Sequence, residues 1–377
     1  MPIAVEKQKS ILRRWFALCP VRHTLTLVSL AVIGAYFALR GNFPLMTWMS
    51  KRVVRPWHRF FGRLFNALPF SLAGVLIAAL VLGCLAYIVY SVIQAVRRGG
   101  VGRRVYLLAV TAVGLSALIY AGFCLLWGVY FYTSDFEDQS GIYGTALSIE
   151  QLESVTRYFA GLANSYGAQV LRDENSLYAA DMDEIFERSA VLYDNVETSF
   201  PCLAGDGLRP KPFQFSGIMS LMNFTGFFSP FTGEANINVA SPACMTPSTI
   251  AHELAHQRGV AAEDEANFVA VLACLENGDP DYCYSASLLA YIHLSNALYK
   301  ADADRWQTIR DGLSPGVRAD IADNNAYWQR RKTVVSKTSD AVYTGFLHSY
   351  GQTLGMQTYG ACVDLLVAYY YNESSAG

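Results

Sequence analysis

The chain has 377 residues, of which 53% are hydrophobic and only 16% are charged, and its mean hydropathy is +0.22. Soluble globular proteins usually carry about 25% charged residues, and this composition also excludes disordered chains, collagens and small disulfide-rich domains. Residues 1–132 hold fifteen Lys and Arg against one acid, Glu6, a net charge of +14, whereas residues 133–377 hold fourteen bases and thirty acids, a net charge of −16. This asymmetry predicts two physical environments within one chain.

Three long apolar runs lie in the basic part, at about 24–40, 69–96 and 105–132. A helix needs roughly 20 residues to cross about 30 Å of hydrocarbon, and the second and third runs exceed that length without a charged residue. The first run is shorter, and a signal peptide or an interfacial helix also fits it. No small-residue cleavage site follows Arg40, so we interpret all three runs as transmembrane helices.

The orientation follows from the loop charges, because Lys and Arg near the ends of spans are retained on the cytoplasmic side. Bases occur in the N-terminal tail and between the second and third spans, at Lys7, Lys9, Arg13, Arg14, Arg22, Arg97, Arg98, Arg103 and Arg104. The segment after the third span opens with Asp135, Glu137 and Asp138. We therefore expect a multi-pass protein of the cell membrane with a cytoplasmic N-terminus and an extracytoplasmic C-terminal domain.

The connection 41–68 carries five more bases, which this orientation would place on the outer face of the membrane. Its stretch KRVVRPWHRFFGRLFNAL mixes bases with large apolar side chains, as an amphipathic helix lying on anionic headgroups does. A basic loop with no set structure fits the same residues. We assign 41–68 to the membrane domain, 1–132, as a basic amphipathic loop.

The acidic part, 133–377, has no further run long enough to span and is expected to fold as an extramembrane domain. Helical spacing of apolar residues covers roughly 148–187. The pieces FQFSGIM, NFTGFFS and ANINVAS then predict a small sheet or irregular strands, and the pattern is helical again to the end. The expected fold class is mainly α, with three transmembrane helices and a mostly helical domain containing a small β element.

Chemistry concentrates in the sequence His252-Glu253-Leu254-Ala255-His256. At 3.6 residues per turn the two histidines share one helical face, and two imidazoles four residues apart can coordinate one Zn²⁺. Glu253 is placed to act as general base on a zinc-bound water, whose pKa the metal lowers. Two surface histidines beside a glutamate are the plain structural alternative.

A catalytic zinc needs a third protein ligand and an open position, and acids follow directly downstream. Gly259 can end the first helix, and a new helix near Ala262 would place Glu263, Asp264 and Glu265 in its first turn, where the helix dipole favours carboxylates. We prefer Glu263 as the third ligand, with Glu265 as the alternative. Asn267, four residues after Glu263 on the same helical face, would then lie beside it and orient a metal ligand by a hydrogen bond.

HELAH followed by EDEAN resembles the HExxH and ExxA[DN] motif pair of gluzincin zinc peptidases, including membrane-bound CAAX-type proteases. The resemblance implies His252, His256 and Glu263 on the metal, with Glu253 as base. Only six residues separate His256 from Glu263, fewer than gluzincins generally have. Because of this departure, the sequence leaves open whether Glu263 or Glu265 is the third metal ligand.

Nearly the whole chain also resembles a bacterial membrane family known as domain of unknown function 3810, common in Firmicutes. The resemblance rests on the three N-terminal spans and on PFTGEANIN, AHELAHQRG, EDEANF, NNAYW and YGACVDLLVAYY. It implies membership of the family and nothing about substrate.

Two further features are candidates for substrate binding and turnover. The segment 230–238 precedes the HELAH helix and, by the resemblance to zinc peptidases, is a candidate edge strand for a peptide substrate; an ordinary structural strand fits it as well. His293 is a candidate hydrogen-bond donor to a developing oxyanion, with a helix-packing histidine as the alternative. Cysteines pair as Cys202 with Cys244 and Cys274 with Cys283 if the domain is oxidised, or stay reduced and buried.

The sequence therefore predicts a membrane-anchored zinc metallopeptidase that hydrolyses peptide bonds of a protein or peptide substrate. The alternative is a non-catalytic membrane receptor or assembly factor in which a metal is structural. The expected partners are the lipid bilayer and the substrate. A domain charge of −16 gives no support for binding nucleic acid, and the sequence leaves the oligomeric state open.

Overall fold

The computed structural model of the protein describes residue 13 and residues 16–144, 148–350 and 359–374. The expected fold class is confirmed, because the chain is 74% helical, with three candidate membrane helices followed by a mostly helical domain and one three-stranded sheet. The helices of the first half are α1 (Pro20–Leu39), α2 (Phe43–Met49), α3 (Arg55–Asn66), α4 (Leu72–Arg98), α5 (Val101–Leu126), α6 (Phe136–Ser140), α7 (Ile149–Gly167), α8 (Met182–Arg188) and α9 (Val196–Ser199).

The second half contains the sheet and the remaining helices. These are β1 (Lys211–Pro212), α10 (Ser216–Leu221), β2 (Gly226–Ser229), β3 (Glu234–Ile237), α11 (Thr246–Gln257), α12 (Glu263–Asn277), α13 (Pro280–Ala301), α14 (Ala303–Asp311), α15 (Pro315–Gln329), α16 (Val334–Ser349) and α17 (Tyr359–Ser374). Short 3-10 turns lie at Gly128–Tyr132, Ser189–Val191, Pro201–Leu203 and Ala243–Met245, and a π-helical turn lies at Ser50–Val54.

The contacts divide the chain into two compact units. The first comprises Met1–Val54 and Val75–Tyr132, and the second comprises Arg55–Gly74 and Thr133–Gly377. The division after Tyr132 coincides with the one drawn from the charges. Arg55–Gly74, which the sequence analysis assigned to the membrane domain, groups with the second unit instead.

Within the described residues, three helices are long and apolar enough to cross a membrane: α1, α4 and α5. They correspond to the three predicted spans, with shifted ends. The third span was expected to run to residue 132, but α5 ends at Leu126 and the chain continues as the 3-10 turn Gly128–Tyr132.

Two polar side chains of the first unit, Arg22 and Tyr36, are hydrogen-bonded to neighbouring elements, as polar groups at membrane depth require. Arg22 on α1 donates 2.6 Å hydrogen bonds from Nη1 to the hydroxyls of Tyr87 on α4 and Thr111 on α5. The Tyr36 hydroxyl donates to the carbonyl of Gly128 at 2.8 Å. These bonds tie the helices of this unit together.

The connection between the first and second spans is helical in α2 and α3 rather than unstructured. Helix α3 is part of the second unit, where the Arg63 guanidinium makes a bidentate pair with the Asp206 carboxylate at 2.6 and 2.9 Å. Trp57 Nε1 donates to the carbonyl of Phe231 at 3.3 Å. The apolar side chains Phe60 and Leu64 of α3 are exposed.

Helix α13 lies at the centre of the second unit and buries apolar side chains on all sides, from Tyr282 to Leu298. Asp279 caps its start by accepting hydrogen bonds from the amides of Asp281 and Tyr282, and Pro280 occupies the first turn, where its missing N–H costs nothing. Helices α7, α11, α12 and α17 pack against this central helix. The HELAH helix, α11, is thereby set into the core.

The sheet has the strand order β1-β3-β2, with β1 parallel and β2 antiparallel to β3. Of the two readings of the segment 230–238, the edge strand is wrong and the ordinary structural strand fits, because β3 is the central strand and bonds to both neighbours. All four residues of β3 are buried, as a central strand under helices requires. The strand β2 lies at an edge.

Two other parts of the chain differ from the sequence patterns. The helical spacing at 148–187 ends at Gly167, and the chain then forms an irregular stretch with a bridge between Arg172 and Tyr178 before α8. The second half of the piece FQFSGIM, from Ser216, belongs to the helix α10 rather than to a strand. None of the eight cysteines, all of which lie within the described residues, forms a disulfide, and the Cys283 thiol donates to the carbonyl of Cys274 at 3.3 Å.

Candidate metal centre

Helix α11 carries both histidines of the HELAH sequence on one face. It starts with Pro247 in its first turn and is buried from Thr246 onwards against the core. The rings of His252 and His256 lie one turn apart, with centroids 4.6 Å from each other and planes at 86°. The spacing of the motif thus brings the two imidazoles together.

The turn after α11 positions the carboxylate of Glu263. Gly259 has φ = +93°, a conformation that side-chain-bearing residues rarely adopt, and it ends the helix where the sequence predicted. Helix α12 begins at Glu263, so the acidic trio occupies its first turn, also as predicted. The carboxylate of Glu263 lies 3.2 Å from His252 Nε2 and 3.6 Å from His256 Nε2.

The other nitrogen of each ring is held by an acceptor. His252 Nδ1 lies 3.0 Å from Asn267 Oδ1, and His256 Nδ1 lies 2.7 Å from the carbonyl of Val260. An acceptor at Nδ1 keeps the proton on that nitrogen and leaves the Nε2 lone pair for a ligand. Both Nε2 atoms face the Glu263 carboxylate, and each can bind a metal when it carries no proton.

The geometry of this group fits a small tetrahedral cation. The ligand atoms of His252, His256 and Glu263 all lie within 4.8 Å of one another. Atoms about 2.0–2.1 Å from a tetrahedral ion are about 3.3 Å apart, close to the two nitrogen–oxygen distances above. Two imidazoles and one carboxylate are a donor set that suits Zn²⁺ and leave a fourth position for another ligand.

Glu253 lies in the same region and is only 3% exposed. Its Oε2 is buried without a hydrogen-bond partner among the described residues. Gly226, the first residue of β2, lies directly against this side chain: a Cβ built there would be 2.5 Å from Glu253 Oε1. The strand edge and the helix thus meet at the carboxylate of Glu253.

The ionisable side chains of this group shift one another's pKa values. Burial raises the pKa of Glu263, but the neighbouring His256 and His252 outweigh this effect and hold that pKa well below its usual range. Burial by itself lowers the pKa of His256. The Glu263 carboxylate raises it by a larger amount, so that the pKa lies at about 9. Burial raises the pKa of Glu253 to about 7 against the opposing charges of both histidines. The group is therefore an imidazolium–carboxylate pair at neutral pH, and a metal would displace a proton from it.

The structure separates the two candidate acids. Glu263 lies with the histidines, whereas Glu265 points away and accepts a hydrogen bond from the amide of Glu137 at 2.9 Å. Glu265 is 3% exposed, and burial raises its pKa to about 8. Asn267 contacts His252 rather than Glu263, the residue that it was expected to flank.

His293 lies on the central helix α13 and is 6% exposed. Burial, with the charge of His252 as a smaller cause, lowers the pKa of His293 to about 4, so its ring is neutral at pH 7. It is thus a neighbour of the histidine pair inside the core. The role of His293 as a hydrogen-bond donor to a developing oxyanion stays a prediction.

Two residues of the site were missed by the sequence analysis. The Tyr343 hydroxyl on α16 donates a hydrogen bond to Glu263 Oε1, from eighty positions along the chain. No local pattern marks Tyr343. Gly226 did have a signal, since a glycine inside a strand pattern often marks a close backbone approach.

The family model described as "Protein of unknown function (DUF3810)" matches residues 50–367. The chain therefore belongs to this family. No curated protein and no solved structure matches it.

Proposed function

We propose that this member of the DUF3810 family is a membrane-anchored, zinc-dependent metallopeptidase that hydrolyses peptide bonds of a protein or peptide substrate. The observation that carries the proposal is the convergence of His252 Nε2, His256 Nε2 and the Glu263 carboxylate, with the buried Glu253 beside them. The gluzincin-like motif pair in the sequence supports the same assignment.

In this proposal His252, His256 and Glu263 hold the metal, and the acceptors at the Nδ1 atoms fix the two rings. When bound, Zn²⁺ would lower the pKa of a water and polarise the carbonyl of the scissile bond. Glu253 takes a proton from the attacking water onto its carboxylate and delivers it to the leaving amine nitrogen. Its unpartnered Oε2 is the atom free for this transfer.

The donor types argue for catalysis over a purely structural metal. Closed structural zinc sites generally use four protein ligands, often cysteines, whereas catalytic sites use three and leave one position open. The described part of the chain supplies three ligand atoms here and no cysteine. The buried Glu253 Oε2 without a partner lowers the stability of the fold, and a purely structural metal site gives no reason to keep it.

The test uses the full-length protein purified in detergent. Elemental analysis is expected to find about one zinc per chain in the wild type and a loss of zinc in His252→Ala. Glu253→Gln is expected to keep the zinc and to lose peptide cleavage, measured with a peptide library. Absence of zinc from the wild type would remove the centre of the proposal; undiminished cleavage or unchanged cellular function in Glu253→Gln would favour the receptor or assembly role.

We also propose that the N-terminus is cytoplasmic and that residues 133–377 lie outside the cytoplasm. The bases Arg97, Arg98, Arg103 and Arg104 lie around the short link between α4 and α5, and Asp135 follows α5. Reporter fusions test this: alkaline phosphatase after residue 377 should be active and a fluorescent protein there dark. The reverse pattern would place the domain inside.

A further inference from the structure

Helix α10 has the reverse of the polarity expected at the surface of a soluble protein. Its outward side carries four apolar side chains, exposed by 38% at Phe215, 56% at Ile218, 49% at Leu221 and 38% at Met222; we call these four the outer face of α10. The residues that turn inward include two serines, Ser216 and Ser220. A surface helix in water normally buries its apolar side and exposes its polar one.

The inward serines are fixed by hydrogen bonds. Ser216 Oγ donates to the carbonyl of Phe213 at 2.7 Å and accepts from the amide of Val239 at 3.0 Å. Ser220 Oγ lies 2.6 Å from the Tyr327 hydroxyl and accepts from Asn238 Nδ2 at 2.9 Å. Rotating α10 to bury its apolar side would break these bonds, so the exposure of the outer face is built into the fold.

The chain around α10 is apolar for longer than the helix itself. From Pro212 to Gly233 the sequence contains no charged residue. Val334, Val335 and Val342 of α16 are 79%, 56% and 68% exposed, and together with Met222 they line one apolar groove. Exposed apolar patches of this kind mark sites of contact with a partner or a membrane.

The start of α10 is attached to the residues from which the second span emerges. Gln214 Nε2 donates to the carbonyl of Ser71 at 2.9 Å, and the side chains of Gln214 and Phe213 leave no room for a Cβ at Gly74. The Glu234 carboxylate caps the same segment by accepting from the amides of Leu72 and Ala73 at 3.1 and 2.9 Å. All of these residues belong to the second unit.

We propose that the outer face of α10 inserts into the surface of the lipid bilayer. Ser71–Gly74 leads directly into the apolar run of α4, so these residues lie where the chain enters the bilayer. A helix end bonded to them is held at the same level, and its apolar side meets hydrocarbon instead of water. A second copy of the chain is a weaker occupant, because a stable interface needs about 800 Å² per partner and four side chains supply less.

The test places a photo-crosslinking benzoylphenylalanine at Ile218 of the full-length protein in lipid nanodiscs. Val191 is the matched control, since it is apolar and 54% exposed but lies on another part of the second unit, between Arg188 and Asp194. After irradiation, mass spectrometry should find lipid adducts at Ile218, at least about tenfold more than at Val191. A second label at Leu221 guards against a local defect, and melting curves in detergent should match the wild type.

Lipid adducts at Ile218 no more frequent than at Val191 would overturn the proposal. Crosslinks from Ile218 to another copy of the chain, in place of lipid, would overturn it as well and would identify the outer face as a protein interface. Neither result depends on metal or on peptide cleavage, so the proposal stands apart from the proposed function.

Discussion

Asn267 and His252 lie 3.0 Å apart, from Oδ1 to Nδ1, across the two helices of the candidate metal centre. This contact orients one ligand ring with a side chain, whereas His256 is oriented by the backbone carbonyl of Val260. Only the first contact can be removed by substitution. We predict that Asn267→Ala lowers the affinity for Zn²⁺ by about 10–100-fold, the usual cost of losing a partner of a ligand histidine.

The measurement is competition with a chelator of known affinity on the full-length protein. Asn277→Ala is the matched control, because Asn277 ends the same helix and bonds the carbonyl of Val191 away from the site. Equal zinc affinities of the two variants would show that the Asn267 contact does not serve the metal.

Glu263 and Glu265 offer a direct test of which acid binds the metal. Glu263→Gln removes the carboxylate that faces both histidines, and we expect zinc affinity to fall on the order of 100-fold or more, a larger loss than that of the Asn267 contact to His252. Glu265→Gln keeps an acceptor oxygen for the amide of Glu137 and should retain zinc at the level of the wild type. Zinc content of both purified variants decides the point, and the opposite pattern would return Glu265 to the site.

The local parts of this site were predictable from the sequence. Two histidines four residues apart, a glycine that ends the helix and acids in the next first turn all depend on neighbours within a dozen positions. Tyr343 is different, because its hydroxyl reaches Glu263 through the packing of α16, which no periodicity of the chain specifies. The orientation of Asn267 towards His252 also depends on how α11 and α12 pack.

The helix α10 shows why the fold was less predictable than the site. FQFSGIM has the aromatic and apolar content of a strand. In the structure its Ser216 begins the helix α10 and lies on the buried side, together with Ser220, which is bonded to Asn238 and Tyr327. The amphipathic pattern used to predict a surface helix assumes that its outer side faces water. Such a pattern does not predict a helix whose serines are buried and whose outer side is apolar.

Arg172, which is partly exposed, and the buried Asp320 form an ion pair that should stabilise the second unit. Arg172 Nη1 lies 2.9 Å from Asp320 Oδ2, and Asp320 also accepts from the Tyr284 hydroxyl and the amide of Tyr178. The Asp320 side chain is 2% exposed. We predict that Asp320→Ala lowers the free energy of unfolding by about 2–3 kcal/mol, because it removes the counter-charge of a partly buried guanidinium and the acceptor of the Tyr284 hydroxyl and the Tyr178 amide.

Chemical denaturation of the full-length protein in detergent measures this loss. Arg157→Ala provides the contrast, since Arg157 pairs with Glu153 at 2.7 Å but its side chain is 55% exposed. That substitution should cost less than about 0.5 kcal/mol. Comparable losses in both variants would mean that the Asp320 pair contributes no more than an exposed one.

Gly226 and Glu253 allow the position of the proposed base to be tested without changing the base itself. An alanine Cβ at position 226 would lie 2.5 Å from Glu253 Oε1 and 2.7 Å from its Cγ, and the buried carboxylate has little room to retreat. We predict that Gly226→Ala lowers peptide cleavage on the order of 100-fold, as small misplacements of catalytic groups do, while zinc content stays at the wild-type level. Gly161→Ala on α7, with no atom within 4 Å of the added Cβ, should leave turnover unchanged. Wild-type turnover in Gly226→Ala would mean that cleavage does not depend on where Glu253 stands, and the assignment of Glu253 as the base would fail with it.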